Sequence, residues 1–327
     1  MEDNSFIFNF SKSIFMNPFK NTNRSTHSKF IIKFLVLILI IFILDFAIGK
    51  TLRYFYYKEQ FGRQYRATYA IDKCQANILI FGSSRAYHHY VPNIIEDSLK
   101  ETCYNTGSPG QFLFYNYATL KAVLKRYTPK MIILDVSVGC LGIEKSSYDR
   151  LSFLLPYYKD HPEMRSIIEL KGPYEKYKLI SSIYPFNSNL LMIAGGNSEY
   201  FKAKSVDIKG YKPLNRVLNK PIVEIVEEPY KLDSIKVKIL NLFIKDCQDY
   251  KIKLYLAYSP AFINYTKTDF SIIKAKQIAL NNNVPFFDFT NDTTFTKHPE
   301  LFDDFDHLNE KGSQLFTKKV ISKIKNN

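Results

Sequence analysis

Residues 30–48 form an apolar run of 19 positions, FIIKFLVLILIIFILDFAI, which is nearly enough to cross a bilayer core as one helix. Sixteen of them are Leu, Ile, Val or Phe. At roughly −0.3 to −0.6 kcal/mol each, these outweigh Lys33 and Asp45, which sit near the ends, where a charge costs less than the ~3 kcal/mol of a central one. The run therefore reads as a retained transmembrane anchor over 30–49, preceded by a cytoplasmic tail over 1–29. Ala47-Ile48-Gly49 has the form of a signal-peptidase site, but a leader of that length would be unusual. Lys12, Lys20, Arg24, Lys29 and Lys33 precede the span, and Lys50, Arg53, Lys58 and Arg63 follow it. The charge bias is weak, so the short tail sets the orientation: inside, with the large domain outside the cytoplasmic membrane. Tyr54, Phe55, Tyr56 and Tyr57 read as an interfacial aromatic belt.

The remaining chain, long enough for a substantial core, alternates two patterns. Short apolar runs at 78–81, 102–105, 131–136, 254–258 and 286–289 have the composition of buried parallel strands. Helical stretches at 92–100, 112–126, 232–250, 270–281 and 309–325 separate them. Such alternation predicts a three-layer α/β/α domain with a parallel, flavodoxin-like sheet and a site at the carboxyl ends of its strands. This domain spans 77–327 and follows a connecting, partly helical segment at 50–76. Residues 142–228 break the rhythm and read as an insertion over the site.

The net charge is +14, from 45 Lys and Arg against 31 Asp and Glu. The basic residues are scattered, and no zinc-finger spacing, Arg-rich arm or RNA-binding signature appears, so no nucleic-acid partner is expected. Cys74, Cys103, Cys140 and Cys247 form no C-x-x-C and have no His at ligand spacing. They read as buried thiols, with a Cys74–Cys103 disulfide as the extracytoplasmic alternative. No cofactor or metal is called for.

Three polar blocks sit where strands end. The first, Gly82-Ser83-Ser84, follows the first strand and opens a helix-prone segment. The second, NTGSPGQ from Asn105, carries glycines that allow close backbone approach to a ligand. The third, LFDDFDHLNEKG, places Asp304 three residues before His307, a spacing that lets a carboxylate hold one ring nitrogen while the other faces a site. Each block alone is an ordinary turn. In this order they resemble the SGNH/GDSL hydrolase superfamily, particularly membrane-anchored bacterial members with GSS in the first block. The resemblance covers residues 77–135 and 253–325. It implies Ser84 as nucleophile, His307 as base, Asp304 as its partner, and the N–H groups of Ser84 and Gly110 as oxyanion donors. Arg85, His88 and Asn105 are candidate substrate contacts, while Asp303 and Asp306 read as solvated flanking acids. One block departs: after the third strand the family has Gly-x-Asn-Asp, and this chain reads LDVSVGCLG, with Gly139 in place of the Asn. Ser137 or a residue of the insertion is the candidate substitute.

By analogy, the expected activity is hydrolysis or transfer of acyl groups, most plausibly acetyl, on a cell-surface polysaccharide. Transfer would need a membrane partner that supplies the acyl donor, since this chain carries no acyltransferase bundle. Two other readings stand beside it: a non-catalytic glycan-binding or assembly protein, suggested by the missing Asn, and a lipid esterase, suggested by proximity to the bilayer.

Overall fold

The structure is a computed structural model that describes residues 22–199, 207–225, 231–265 and 269–327. Most of the N-terminal tail, residues 1–21, lies outside the described residues. Helix α1 (Thr22–Lys58) contains the apolar run and is long and apolar enough to cross a membrane, with side chains exposed along most of it. It continues unbroken for ten residues beyond Ile48, or about 15 Å at helical rise. After a short break, α2 (Gly62–Thr68) leads towards the sheet. Of the four expected belt aromatics, Tyr54 and Phe55 are exposed. Tyr56 is buried and Tyr57 half-buried, because both pack on Tyr157 of the insertion.

Five strands form the central sheet: β1 (Ile78–Phe81), β2 (Cys103–Asn105), β3 (Met131–Asp135), β5 (Lys253–Tyr258) and β7 (Phe286–Asp288). All pair in parallel, in the order β2-β1-β3-β5-β7. This is the expected flavodoxin-like order. The strands need apolar residues on both faces because helices cover both. In β1, Leu79 and Phe81 enter one core while Ile78 and Ile80 enter the other. The first core holds α5 (Leu113–Arg126), α6 (Ser234–Asp249) and α7 (Phe270–Asn281). The second holds α8 (Glu310–Lys325), together with α3 (Ser84–His89) and α4 (Pro92–Leu99). Asp233, Asp269 and Asn309 cap α6, α7 and α8 by accepting backbone N–H groups of the first turns.

The chain leaves β1 for β2 on one side, then returns to β3 on the other. That reversal opens a crevice at the carboxyl ends of β1 and β3, where an open α/β sheet places its ligands.

A second sheet, which the sequence did not suggest, pairs β4 (Val223–Ile225) with β6 (Ile263–Tyr265) in parallel. It links the end of the insertion to the loop after β5.

The insertion divides into two parts: the first packs mainly into the core and reaches the site only through Arg150, while the second runs along it. Residues 142–199 pack beneath α5 and beside α1. Leu151, Leu154, Leu155, Tyr157, Met164 and Ile168 are buried in the first core, so this stretch extends the core rather than covering a cleft. Residues 207–218 form a strap along the carboxyl edge of the sheet. Asn105 N–H donates to Lys209 O at 2.9 Å, Leu218 N–H to Phe302 O at 2.8 Å, and Glu310 N–H to Leu214 O at 2.8 Å. All four cysteines are free thiols; Cys74, Cys103 and Cys247 are buried.

Candidate active site

β1 ends at Gly82, whose φ of +150° and tight packing both favour glycine. A Cβ there would lie 2.6 Å from Ala86 Cβ and 3.0 Å from Asp135 Cβ and O. The turn starts α3 at Ser84, so the serine side chain stands at the mouth of the crevice. The second loop is tied to this turn, since Ser108 N–H donates to Gly82 O at 3.2 Å. Gly107 meets a second steric limit: a Cβ would lie 2.6 Å from Tyr87 N and 2.8 Å from Asn105 Oδ1.

Ser84 and His307, 223 residues apart, meet here. Ser84 Oγ lies 2.8 Å from His307 Nε2, and His307 Nδ1 lies 2.9 and 3.0 Å from the two Asp304 oxygens. Asp304 Oδ1 also accepts the N–H groups of Asp306 and His307, each at 2.9 Å. Burial alone would raise the Asp304 pKa, but the His307 contact and these N–H donors outweigh it and lower it. The carboxylate is therefore ionised near neutral pH and can only accept. Nδ1 must carry the proton, which leaves the Nε2 lone pair to receive the serine hydroxyl hydrogen. The arrangement can deprotonate an alcohol held at Ser84.

The histidine loop is fastened from several sides. Asp303 N–H donates to His307 O at 2.8 Å. Asp303, expected to be solvated, is instead buried: its carboxylate accepts Arg216 N–H at 2.8 Å and the guanidinium at 2.9 and 2.7 Å. Leu308 N–H donates to His89 Nε2 at 3.0 Å. His89 is fully buried, which drives its pKa well below 6.5 and keeps it a neutral acceptor. α3 carries both His88, a candidate substrate contact, and His89, which the sequence did not single out as a site residue. The nearest available signal was the helical offset of His89 from Ser84.

His88 stands at the rim, its ring 5.4 Å from that of His307, with Nδ1 2.8 Å from Lys212 O of the strap. Burial, together with the His307 charge, pushes its pKa down to about 4 despite that carbonyl.

Two expected substrate contacts have other roles. Arg85 is buried and faces inward, donating to Val136 O at 3.0 Å and stacking 4.9 Å from the centre of the Tyr258 ring. Its charge opposes buried Asp135, which accepts Tyr90 O–H at 2.7 Å. Burial raises the Asp135 pKa while Arg85 pulls the other way. Arg85 turns inward because it follows Ser84 by one helical step, about 100° round the axis. Asn105 is also buried. Its Nδ2 donates to Ala86 O at 2.7 Å and Tyr90 O at 3.1 Å, and its Oδ1 accepts Gly107 N–H at 2.9 Å. It pins the second loop to α3 and has no face towards a ligand.

Gly110 sits at φ +67° in the turn closed by Gln111 N–H to Ser108 O, with its carbonyl accepting Arg150 Nη1 at 2.9 Å. Arg63 from α2 reaches the same turn, Nε donating to Ser108 Oγ at 3.3 Å. Neither arginine stood out in the sequence, because each comes from a segment outside the three blocks. Gly139, at φ +69°, donates its N–H to Asp269 Oδ2 at 3.1 Å, which ties the third loop to the cap of α7. Ser137 lines a cavity of about 20 Å³ with Ser83 and Asn116, behind the Ser84 turn. No group of three or more potential metal ligands occurs among the described residues.

No family model matches the sequence, and neither does any curated protein. Among solved structures, the chain is similar to the psychrotrophic esterase EstA from Pseudoalteromonas sp., solved inhibited by monoethylphosphonate. Identity is 13%, with 76% of this chain and 98% of that one covered, at a TM-score of 0.39.

Proposed function

We propose that this protein is a membrane-anchored serine esterase or acyltransferase, with its catalytic domain outside the cytoplasmic membrane and acyl esters of a surface polysaccharide as substrates. The observation that carries the reading is the hydrogen-bonded line Ser84–His307–Asp304 at the topological switch point of the sheet. A serine hydroxyl becomes a useful nucleophile only when a base removes its proton, and His307 Nε2 is within reach of it.

In this mechanism Ser84 Oγ attacks the ester carbonyl as its proton passes to His307. Asp304 holds the ring and offsets the charge that forms on it. The N–H groups of Ser84 and Gly110 receive the developing oxyanion. The protonated His307 then gives its proton to the leaving sugar oxygen, and an acyl-Ser84 ester remains. Water, or a second hydroxyl in the transferase case, attacks that ester by the same proton path in reverse. Acetyl is favoured as the acyl group, and transfer would draw on a membrane partner that supplies the donor. α1 is the anchor in this reading, with its N-terminal tail in the cytoplasm.

The test is covalent labelling of the full chain in detergent by a fluorophosphonate probe, beside Ser84→Ala and His307→Ala. Labelling of the wild type that vanishes in both variants supports the reading. Undiminished labelling of Ser84→Ala removes Ser84 as nucleophile.

Gly139 favours a second reading, a non-catalytic glycan-binding or assembly protein. Its N–H is held by Asp269, and no Asn side chain stands at this position. Loss of one oxyanion donor costs on the order of 10²–10³ in rate, which slows an esterase without abolishing it. A folded wild type that never labels but binds acylated glycan would support this second reading.

A further inference from the structure

The insertion grips α1 at the level of its apolar run. Asp45, three residues before the end of that run, accepts Ser181 O–H at 2.5 Å, Ser182 N–H at 2.6 Å and Ile183 N–H at 3.4 Å. Gly49, one turn on, lies against the Ser182 backbone so closely that a Cβ would collide with it. From there the two segments run in the same direction, away from the apolar run: Phe186 meets Tyr56 with ring centres 5.6 Å apart, and Asn197 Nδ2 donates to Phe55 O at 2.9 Å. Residues 181–183 therefore form the end of this segment that reaches deepest along α1.

Beside that end, Tyr174, Tyr177 and Ile180 are 67%, 59% and 68% exposed. Exposed apolar groups clustered at one tip mark an interaction surface. Lys176 and Lys178 stand among them, the Lys176 ammonium 4.9 Å from the centre of the Tyr177 ring. Lys178 is held by Glu175, but an aromatic ring beside the Lys176 ammonium suits the head-group region, where the ring sits at the boundary and the ammonium reaches the phosphates. Asp45 lies only about 4.5 Å below the last apolar residue of the run at helical rise.

We propose that the 174–183 turn is a second membrane contact, seated in the head-group and acyl boundary beside α1. The proposal rests on α1 being a membrane span. It gives Asp45 a role, since this carboxylate within an apolar run ties the turn to the span. Two fixed points, the helix and the turn, would set the tilt of the domain and hence the height of Ser84 above the lipid.

The chain contains no tryptophan, so single replacements report their own surroundings without background. Ile180→Trp, Tyr177→Trp, Leu37→Trp and Leu280→Trp would each be placed, in the full chain, in phosphatidylcholine bilayers without bromines or with them on either the upper or the lower acyl chain. Leu280 is 77% exposed on α7, beside the β7 edge of the sheet. The expected result is blue-shifted emission and loss of intensity in brominated lipid at positions 180 and 177, with neither at position 280. Water-like, unquenched emission at 180 and 177 while position 37 is quenched would overturn the second contact and leave the anchor standing. A Trp at position 37 that no bromine position quenches would overturn the anchor reading, and the second contact with it.

Discussion

His89 Nε2 accepts the backbone N–H of Leu308 at 3.0 Å, so a residue five positions after Ser84 holds the residue immediately after His307. The two ends of the Ser84–His307 contact are thus coupled by a buried bond parallel to it. His89 touches no reacting atom in the proposed chemistry and is a positioning residue.

Replacing His89 with Phe leaves the Leu308 N–H buried without its acceptor, at a cost of about 1–3 kcal/mol. The expected outcome is a lower Tm together with fluorophosphonate labelling slowed beyond the loss of folded protein. His89→Gln, which restores an acceptor, should recover part of the labelling rate. Equal labelling rates per folded molecule in wild type and His89→Phe would show that the bond does not position His307.

Acid should destabilise the protein through His88 and His89. His88 titrates at about 4 in the folded chain, against an ordinary 6.5, and His89 well below 6.5, both because of burial. Between about pH 6.5 and 4 the unfolded chain binds more protons, so stability rises with pH there and falls as pH drops. Thermal unfolding across this window should show a falling Tm, with a shallower slope in His88→Gln. Asp304 adds a loss of its own at lower pH. Its folded pKa is depressed, so its contribution is present above the unfolded carboxylate value and fades as pH falls through the folded one.

Arg85 and Asp135 are both buried behind Ser84 and attract one another across a gap, each bonded to another partner, Val136 O and Tyr90 O–H. Removing Arg85 takes away the charge that offsets the burial of Asp135, which costs about 1–3 kcal/mol for a buried polar group left uncompensated. Arg85→Met should therefore lower the urea midpoint sharply, and the double variant Arg85→Met/Asp135→Leu should recover much of that loss. A full urea midpoint with a raised KM instead would return Arg85 to the role of substrate contact.

Gly110→Ala tests the second loop. Its left-handed φ costs a side-chain-bearing residue roughly 1–2 kcal/mol, and the new methyl would meet the Arg150 guanidinium. The expected result is slower labelling with a modest fall in Tm. Adding Arg150→Ala removes the clash and should restore part of the Tm, leaving the backbone strain.

The sequence alone determined the long apolar N-terminal helix, the five central strands to within a residue or two, and their parallel order. Those features follow from local composition: a bilayer-length apolar run, and apolar segments short enough that only a sheet covered on both faces would bury them. The Asp304–His307 spacing was legible for the same reason, since three residues on one loop suffice to bring a carboxylate to a ring nitrogen.

Other features were decided only by the tertiary structure. Arg85 and Asn105 looked like ligand contacts because they adjoin the blocks, yet helix rotation and strand register turn both inward. Asp303 looked solvated until the strap brought Arg216 across from 87 residues away. The turn at 181–183 meets Asp45 more than 130 residues back along the chain. These partners come from segments whose separation in sequence carries no signal of contact, so only chain packing could select them.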